Sequence, residues 1–299
     1  MNYVLAIGAY TCISLIGIMG CFLLTGLTGL FSLGQAAMMS MGAYIGTLFC
    51  MKLGLPVSVC ILVSLAATGV ISWLLSFIAL KVKQAHFAIA TLGFSEAIKA
   101  YINYDFKFTG GANGIREIPI TITWWMALIA LVAVIAVVAM LKRSDFGRRC
   151  RAVRDNEMAA EVLGVPVFRH KMSVYIISSV ITALAGCLYA FYQGFIGPDI
   201  GSWLKSAEWI IIVFVGGRNS ITGVLITGVV LLIMPELLRF ANEWRTIIYG
   251  VIVILTISFR PEGLLGKWEF SLPAIGRRFR RLLGIGSSVG AAGGGDRDA

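Results

Sequence analysis

Charge is scarce in this sequence, and what there is lies unevenly. Only 13% of the 299 residues are Asp, Glu, Lys or Arg, against roughly a quarter in an average soluble domain. The first charged residue is Lys52, and none stands from 53 to 80. Such runs exceed the roughly 18 to 20 apolar residues needed to cross a hydrocarbon core about 30 Å thick. Water is therefore excluded as the main solvent of the chain, in keeping with a mean hydropathy of +0.87.

Other absences narrow the chemistry. The six cysteines include no C-x-x-C pair, and five lie in apolar stretches where a free cysteine behaves as a small hydrophobe. Neither a disulfide framework nor a zinc site follows. The two histidines, His86 and His170, have no second ligand at metal spacing, so no metal site is expected. There is no G-x-x-x-x-G-K-[ST] phosphate loop, and the chain is not expected to hydrolyse ATP or to bind a cofactor itself. A G-x-S-x-G match at 286–290 lies in a low-complexity tail with no preceding strand, and reads as chance. The apolar segment at the amino terminus lacks the basic residues of a signal peptide, so it is read as a retained span.

What is present is a series of charge-poor stretches at 3–24, 31–51, 56–80, 86–104, 118–141, 172–197, 209–217, 220–235 and 246–259. They predict an all-α, polytopic transmembrane bundle of eight or nine spans, with 209–217 and 246–259 too short to cross alone at about 1.5 Å per residue. Lys and Arg concentrate at 142–171 and beyond 260, so both segments and the carboxyl terminus are expected on the cytoplasmic side. That places Lys52, the loop 108–117 and the amino terminus outside, and Lys81 and Lys83 inside. The formal net charge of +10 follows from the same rule and calls for no nucleic-acid partner. The cluster 277–281 is placed to meet anionic lipid headgroups.

Several segments carry further signals. Residues 25–46, TGLTGLFSLGQAAMMSMGAYIG, space small residues for close helix packing. Gly26, Gly29 and Gly34 there also suit an interrupted helix that turns backbone and Gln35 toward a substrate path. A comparable interruption, FVGGRNSITG, stands at 214–223. In a third segment Glu96 and Lys99 share a helix face and suit either a neutralising pair or a pathway role. Glu236 and Arg239 repeat that spacing. The loop 108–119, FTGGANGIREIP, is a tight turn or a docking loop. Fourth, 144–171 is long for a connector. Its stretch 151–163 predicts one short amphipathic helix, ended by Gly164 and Pro166. Ala152, Val153, Ala159, Ala160, Val162 and Leu163 form its apolar face, and Arg154, Asp155, Glu157 and Glu161 stand opposite. Mixed charge there suits a protein partner.

Taken in order, GLTGLFSLGQAAMMSMGAYIG, HFAIATLGFSEAI, FTGGANGIREIP, SDFGRRCRAVRDNEMAAEVLGV, FVGGRNSITGVLITG and FRPEGLLG resemble the permease subunits of ABC importers for branched-chain amino acids, closest to the LivM type. The resemblance covers about 26–266. It implies a permease domain at 1–270 with a cytoplasmic coupling loop at 144–171, followed by a basic, disordered tail at 271–299. It implies a bacterial inner-membrane location, a second homologous permease subunit, two ATPase subunits that use the ATP, and a periplasmic amino-acid-binding protein. In ABC importer permeases a Glu-Ala-Ala-x-x-x-Gly pattern marks the coupling helix. Ala159, Ala160 and Gly164 match it, whereas Met158 holds the acidic position and Glu157 lies one residue early. The coupling contact is accordingly assigned to Arg154, Asn156, Glu157, Ala159, Ala160 and Gly164. The pathway is assigned to Gln35, Glu96 and Asn113, and binding-protein docking to Thr109, Gly110, Gly111 and Gly114. The rival class is a stand-alone ion-coupled transporter or channel for small polar solutes, which needs more ionisable residues inside its spans.

Overall fold

The computed structural model describes residues 2–82, 84–237, 250, 251 and 254. Lys83, Arg239, most of the stretch 246–259, FRPEGLLG, the cluster 277–281 and the tail 271–299 lie outside the described residues. Those that are described form helices without strands, and one isolated bridge joins Ile115 to Ile196.

Among the described residues five helices are long and apolar enough to cross a membrane. Helix α1 (Asn2–Cys21) continues into a π-helical turn, Phe22–Leu27. After an irregular stretch come α2 (Gln35–Leu53), α3 (Val57–Ala79), α4 (Gln84–Tyr104) and the single turn α5 (Phe106–Thr109). Beyond the loop 110–123 stand α6 (Trp124–Arg143), the connectors α7 (Asp145–Asp155) and α8 (Glu157–Val162), and α9 (Val167–Gln193). Helices α10 (Trp203–Gly216) and α11 (Ile221–Leu237) complete the set. The five long helices are α1 with its π turn, α2, α3, α6 and α9.

Helix α9 is the axis of the bundle, and small residues set how closely its neighbours approach. A Cβ on Gly186 would collide with the Met39 carbonyl, and one on Gly42 with the backbone of Ala183. These glycines bring α2 and α9 into backbone contact, which replaces the missing hydrophobic drive between helices in lipid with dispersion. The register runs forward: Gln35 lies beside Thr182, and Gly46 beside Cys187 and Phe191. Helix α1 runs the opposite way, with Tyr10 against Tyr189 and Gly20 against Ser178 and Thr182. The interruption expected at Gly26, Gly29 and Gly34 is present, because α1 ends near one end of the bundle and α2 restarts at mid-depth.

Non-helical backbone within a bilayer requires internal partners. Residues 28–34 find them in side chains: Thr25 Oγ1 donates to the Leu30 carbonyl, and the Leu33 amide donates to Thr91 Oγ1. At the N-terminus of α2 the Ala36 amide donates to Ser206 Oγ at 2.8 Å.

Two expectations are corrected. The stretch 118–141 is not helical throughout, because 118–123 is extended and pairs with the end of α9 through Ile118 N to Gly194 O and Thr121 N to Phe191 O. The single helix expected at 151–163 is two, broken at Asn156, whose backbone is extended (φ −159°). Its side chain accepts the Ala159 amide, and the N-cap bond that starts α8 is what ends α7.

Candidate functional site

At the end of the bundle where α6, α7 and α9 carry their basic residues, α7 folds back under the spans. Cys150 and Val153 are buried. Cys150 Sγ lies 3.2 Å from His170 Nε2, and the His170 ring packs 4.6 Å from Phe146. Burial pushes the Cys150 thiol up to about 12, so it stays protonated and serves as a hydrogen-bonded pin.

Arg154 is the centre of this end. Its side chain is 16% exposed and points inward. One terminal nitrogen donates to the Gly26 carbonyl (2.9 Å) and to Asn219 Oδ1 (2.7 Å). Its stem lies across Gly29, where a Cβ would stand 2.8 Å from Arg154 Cγ. Gly29 has φ +71°, which glycine adopts without steric cost. Lys142 Nζ donates to the Asn219 carbonyl. The two glycine-rich interruptions, 25–34 and 214–223, thus meet at one place. Phe31 stacks on Phe214 with centroids 5.3 Å apart, and a Cβ on Gly26 would stand 3.0 Å from the Arg218 carbonyl.

Helix α8 faces the other way. Met158, Val162 and Leu163 are 80%, 89% and 80% exposed, and Ala159 and Gly164 are exposed beside them. Of the six residues assigned to the coupling contact, only Ala159 and Gly164 belong wholly to this outward patch. Arg154 ties inward, Asn156 caps α8, Ala160 is buried, and Glu157 pairs with Lys171 at 2.5 Å. The apolar face read from the sequence divides, with Val153 and Ala160 turned to the bundle and Val162 and Leu163 to solvent. Met158, read as a departure from an acidic position, is part of the patch.

The residues assigned to a pathway are not brought together. Gln35 is fully buried between α2 and α9, with Oε1 3.0 Å from Thr182 Oγ1. The Thr182 hydroxyl also lies 2.9 Å from the Ser178 carbonyl. One hydroxyl proton cannot serve both, and turning the Gln35 amide lets its nitrogen donate to Thr182 while Thr182 donates to Ser178. Asn113 is exposed in the loop at the opposite end. Glu96 does not neutralise Lys99: Lys99 Nζ pairs with Asp199 at 2.8 Å, and Glu96 Oε1 is buried without a hydrogen bond.

At that opposite end Lys52 Nζ sits 3.6 Å above the Phe108 ring. The docking residues are mostly turned inward. Thr109 is buried and donates to the Ile102 carbonyl at 2.7 Å, while Gly111 and Gly114 are buried and Gly110 is half-buried. Their work is to build the turn that sets Ile115 against Ile196. Ala112, Asn113, Arg116 and Glu117 form its exposed rim.

A third acid–base pair at this spacing, unmarked in the sequence reading, is Lys205 and Glu208, which both stand within α10. The spacing matches Glu96 and Lys99 and was available as a signal. It was hidden because the apolar stretch was taken to begin at 209, whereas the helix starts at Trp203. Among the described residues no three of His, Cys, Asp and Glu gather closely enough to hold a metal ion.

Comparison with known proteins places residues 3–257 in the family described as branched-chain amino acid transport system / permease component. The chain is similar to the high-affinity branched-chain amino acid transport system permease protein LivM of Salmonella typhimurium (strain LT2). The two are 29% identical over 293 residues, which covers 87% of this chain and 69% of the relative. The probable branched-chain amino acid transport permease protein LivM of Methanocaldococcus jannaschii is 24% identical over 232 residues, covering 68% and 66%. LivH of Escherichia coli (strain K12), of the same transport system type, is 29% identical over 131 residues, covering 43% and 42%. No solved structure matches the chain.

Proposed function

We infer the function from one premise: the chain belongs to the branched-chain amino acid transport permease family. It is a multi-pass membrane permease component. In our reading it is the membrane-spanning subunit of an ATP-driven importer for branched-chain or related amino acids. It works beside a second, related permease subunit, with two ATPase subunits at its basic, cytoplasmic end and an amino-acid-binding protein at the other. Segment α7–α8 is the coupling element. ATP binding moves the ATPase subunits, α8 follows, and the spans pass between arrangements that expose the pathway to one side and then the other.

The observation that carries this reading is the outward apolar patch of Met158, Val162 and Leu163 on a charged loop. Three neighbouring large apolar side chains in water are an interaction surface. Burying each removes about 1.5 to 3 kcal/mol of exposure cost. Behind the patch, Arg154 ties the same segment to both interruptions in the spans, so a push on α8 reaches the membrane through a hydrogen-bonded strut.

The test is reconstitution with and without partners. Uptake by liposomes holding both permease subunits, the ATPase subunits and the binding protein is expected to require ATP and every component. Uptake by this chain alone, driven by an ion gradient, would overturn the reading in favour of a stand-alone transporter.

A further inference from the structure

Helix α10 lies inside the bundle with its Ser206 hydroxyl on the Ala36 amide and its Trp209 ring against Gly17. Ala36 follows Gln35, which stands beside Thr182 in the middle of α9. Lys205, beside Tyr189 and Tyr10, and Glu208 therefore lie within the helical bundle, between the middle of α9 and its end at Gln193. Residues three apart on a helix share a face, with Cβ atoms about 5–6 Å apart.

Neither charge has found a conventional partner. Among the described residues Lys205 makes no hydrogen bond or ion pair. Its ammonium instead sits among three aromatic rings, 5.5 Å from Tyr189, 5.8 Å from Tyr10 and 6.0 Å from Trp209. Glu208 likewise makes no hydrogen bond or ion pair among the described residues, and Lys205 is the cation beside it. Both are half-buried, and next to them Leu204 is 61% and Tyr10 38% exposed. The site thus opens on the surface of the chain. A charge facing hydrocarbon costs at least about 2.5 to 3.5 kcal/mol, so two of them do not face lipid. This side of α10 borders water or another polar partner.

We propose that Lys205 and Glu208 recognise the zwitterionic main chain of an amino acid in transit. The proposal rests on the reading of the chain as an amino-acid permease and adds a site to it. A zwitterion carries a carboxylate and an ammonium on one carbon. Lys205 and Glu208 feel each other's charge but make no hydrogen bond among the described residues, and a zwitterion offers a carboxylate oxygen to the Lys205 ammonium and ammonium protons to the Glu208 carboxylate. The rings stabilise an ammonium there by about 0.5–2 kcal/mol without supplying a counter-charge. Neutral solutes such as amides or urea can hydrogen-bond to both groups but bring no opposite charge to either, so those bonds are weaker.

The test uses the complete transporter in nanodiscs, without the binding protein, and measures binding of radiolabelled leucine against unlabelled leucine, leucinamide and 4-methylpentanoate. Leucine is expected to compete about tenfold better than either analogue, the loss of one charged hydrogen bond. Lys205→Gln is expected to abolish the preference for leucine over leucinamide, and Glu208→Gln that over 4-methylpentanoate. Lys205→Arg keeps the charge and is expected to bind leucine within about threefold of the native protein. The double variant Lys205→Met/Glu208→Gln separates a binding site from a structural ion pair. A site predicts that it binds leucine worst. Native-like leucine binding by the double variant, with both single variants defective, overturns the proposal, as does native-like discrimination by the single variants. Absence of ATP-dependent amino-acid uptake by the native complex would instead overturn the permease reading.

Discussion

The guanidinium of Arg154 donates a hydrogen bond to the backbone carbonyl of Gly26, 2.9 Å away and 128 positions earlier in the chain. Gly26 lies in a π-helical turn, where carbonyls are offset from the regular ladder and are open to an outside donor. Because the same nitrogen reaches Asn219, Arg154 holds both interruptions of the spans to the end of α7.

Removing that strut should uncouple rather than unfold. Arg154→Ala is expected to keep the ATPase subunits bound, since the side chain faces inward, while ATP-driven uptake falls about tenfold or more through the loss of two charged hydrogen bonds. Co-purification and uptake, measured on one preparation, check this. Loss of the ATPase subunits would show that Arg154 is a partner contact after all.

The outward patch gives the complementary result. Val162→Asp with Leu163→Asp is expected to release the ATPase subunits, because a partner surface that buries apolar side chains must then desolvate carboxylates. Membrane insertion is expected to be unchanged. Retention of the ATPase subunits by this variant in a pull-down would falsify the assignment of α8.

Gly186→Ala places a methyl against the Met39 carbonyl, backbone against backbone, where no side-chain rotation relieves it. Overpacking of this kind costs about 1–3 kcal/mol. The thermal midpoint of the purified protein should fall clearly, and Gly93→Ala, inside α4 where nothing lies within 4 Å of the added carbon, serves as the control, expected to hold or raise the midpoint because Ala favours a helix over Gly by about 1 kcal/mol.

Cys150 is buried, and its thiol is held up to about 12 chiefly by that burial. The thiolate is the nucleophile, and a raised value keeps the group neutral through the whole physiological range. Alkylation of Cys150 by a maleimide should therefore be slow at both pH 7 and pH 9. Met158→Cys, on the exposed patch, should react rapidly and faster at the higher pH. Mass spectrometry of proteolytic peptides, which separates Cys150 from the other five cysteines, reads both rates.

Much of the architecture was legible along the chain because a bilayer admits few solutions. Charge-free runs of sufficient length must be helices, since backbone groups have no water to bond. The stretches at 3–24, 56–80 and 172–197 accordingly coincide with α1, α3 and α9. The breaks at 25–34 and 214–223 were marked by glycine. The boundary at 118–123 was marked by Pro119 and the β-branched run after it, Ile-Thr-Ile-Thr, which an apolarity count alone passes over, and pairing with the end of α9 holds that run out of the helix.

The candidate site divides in the same way. Sequence alone determined that the chain lies in a membrane, where its spans begin to fail, and that 144–171 is a charged segment too long for a simple connector. It could not determine which side of that segment is buried and which is exposed. Asn156 splits the expected helix and rotates its two halves independently, so one apolar stripe becomes a buried half at Val153 and an exposed half at Val162 and Leu163. Nor could it find that Lys99 pairs with Asp199, that Arg154 reaches Gly26, or that Lys205 stands among three rings from three helices. These contacts join residues far apart in sequence. Their energies fall steeply with distance, so only the packing of α1, α9 and α10 decides which charge meets which partner.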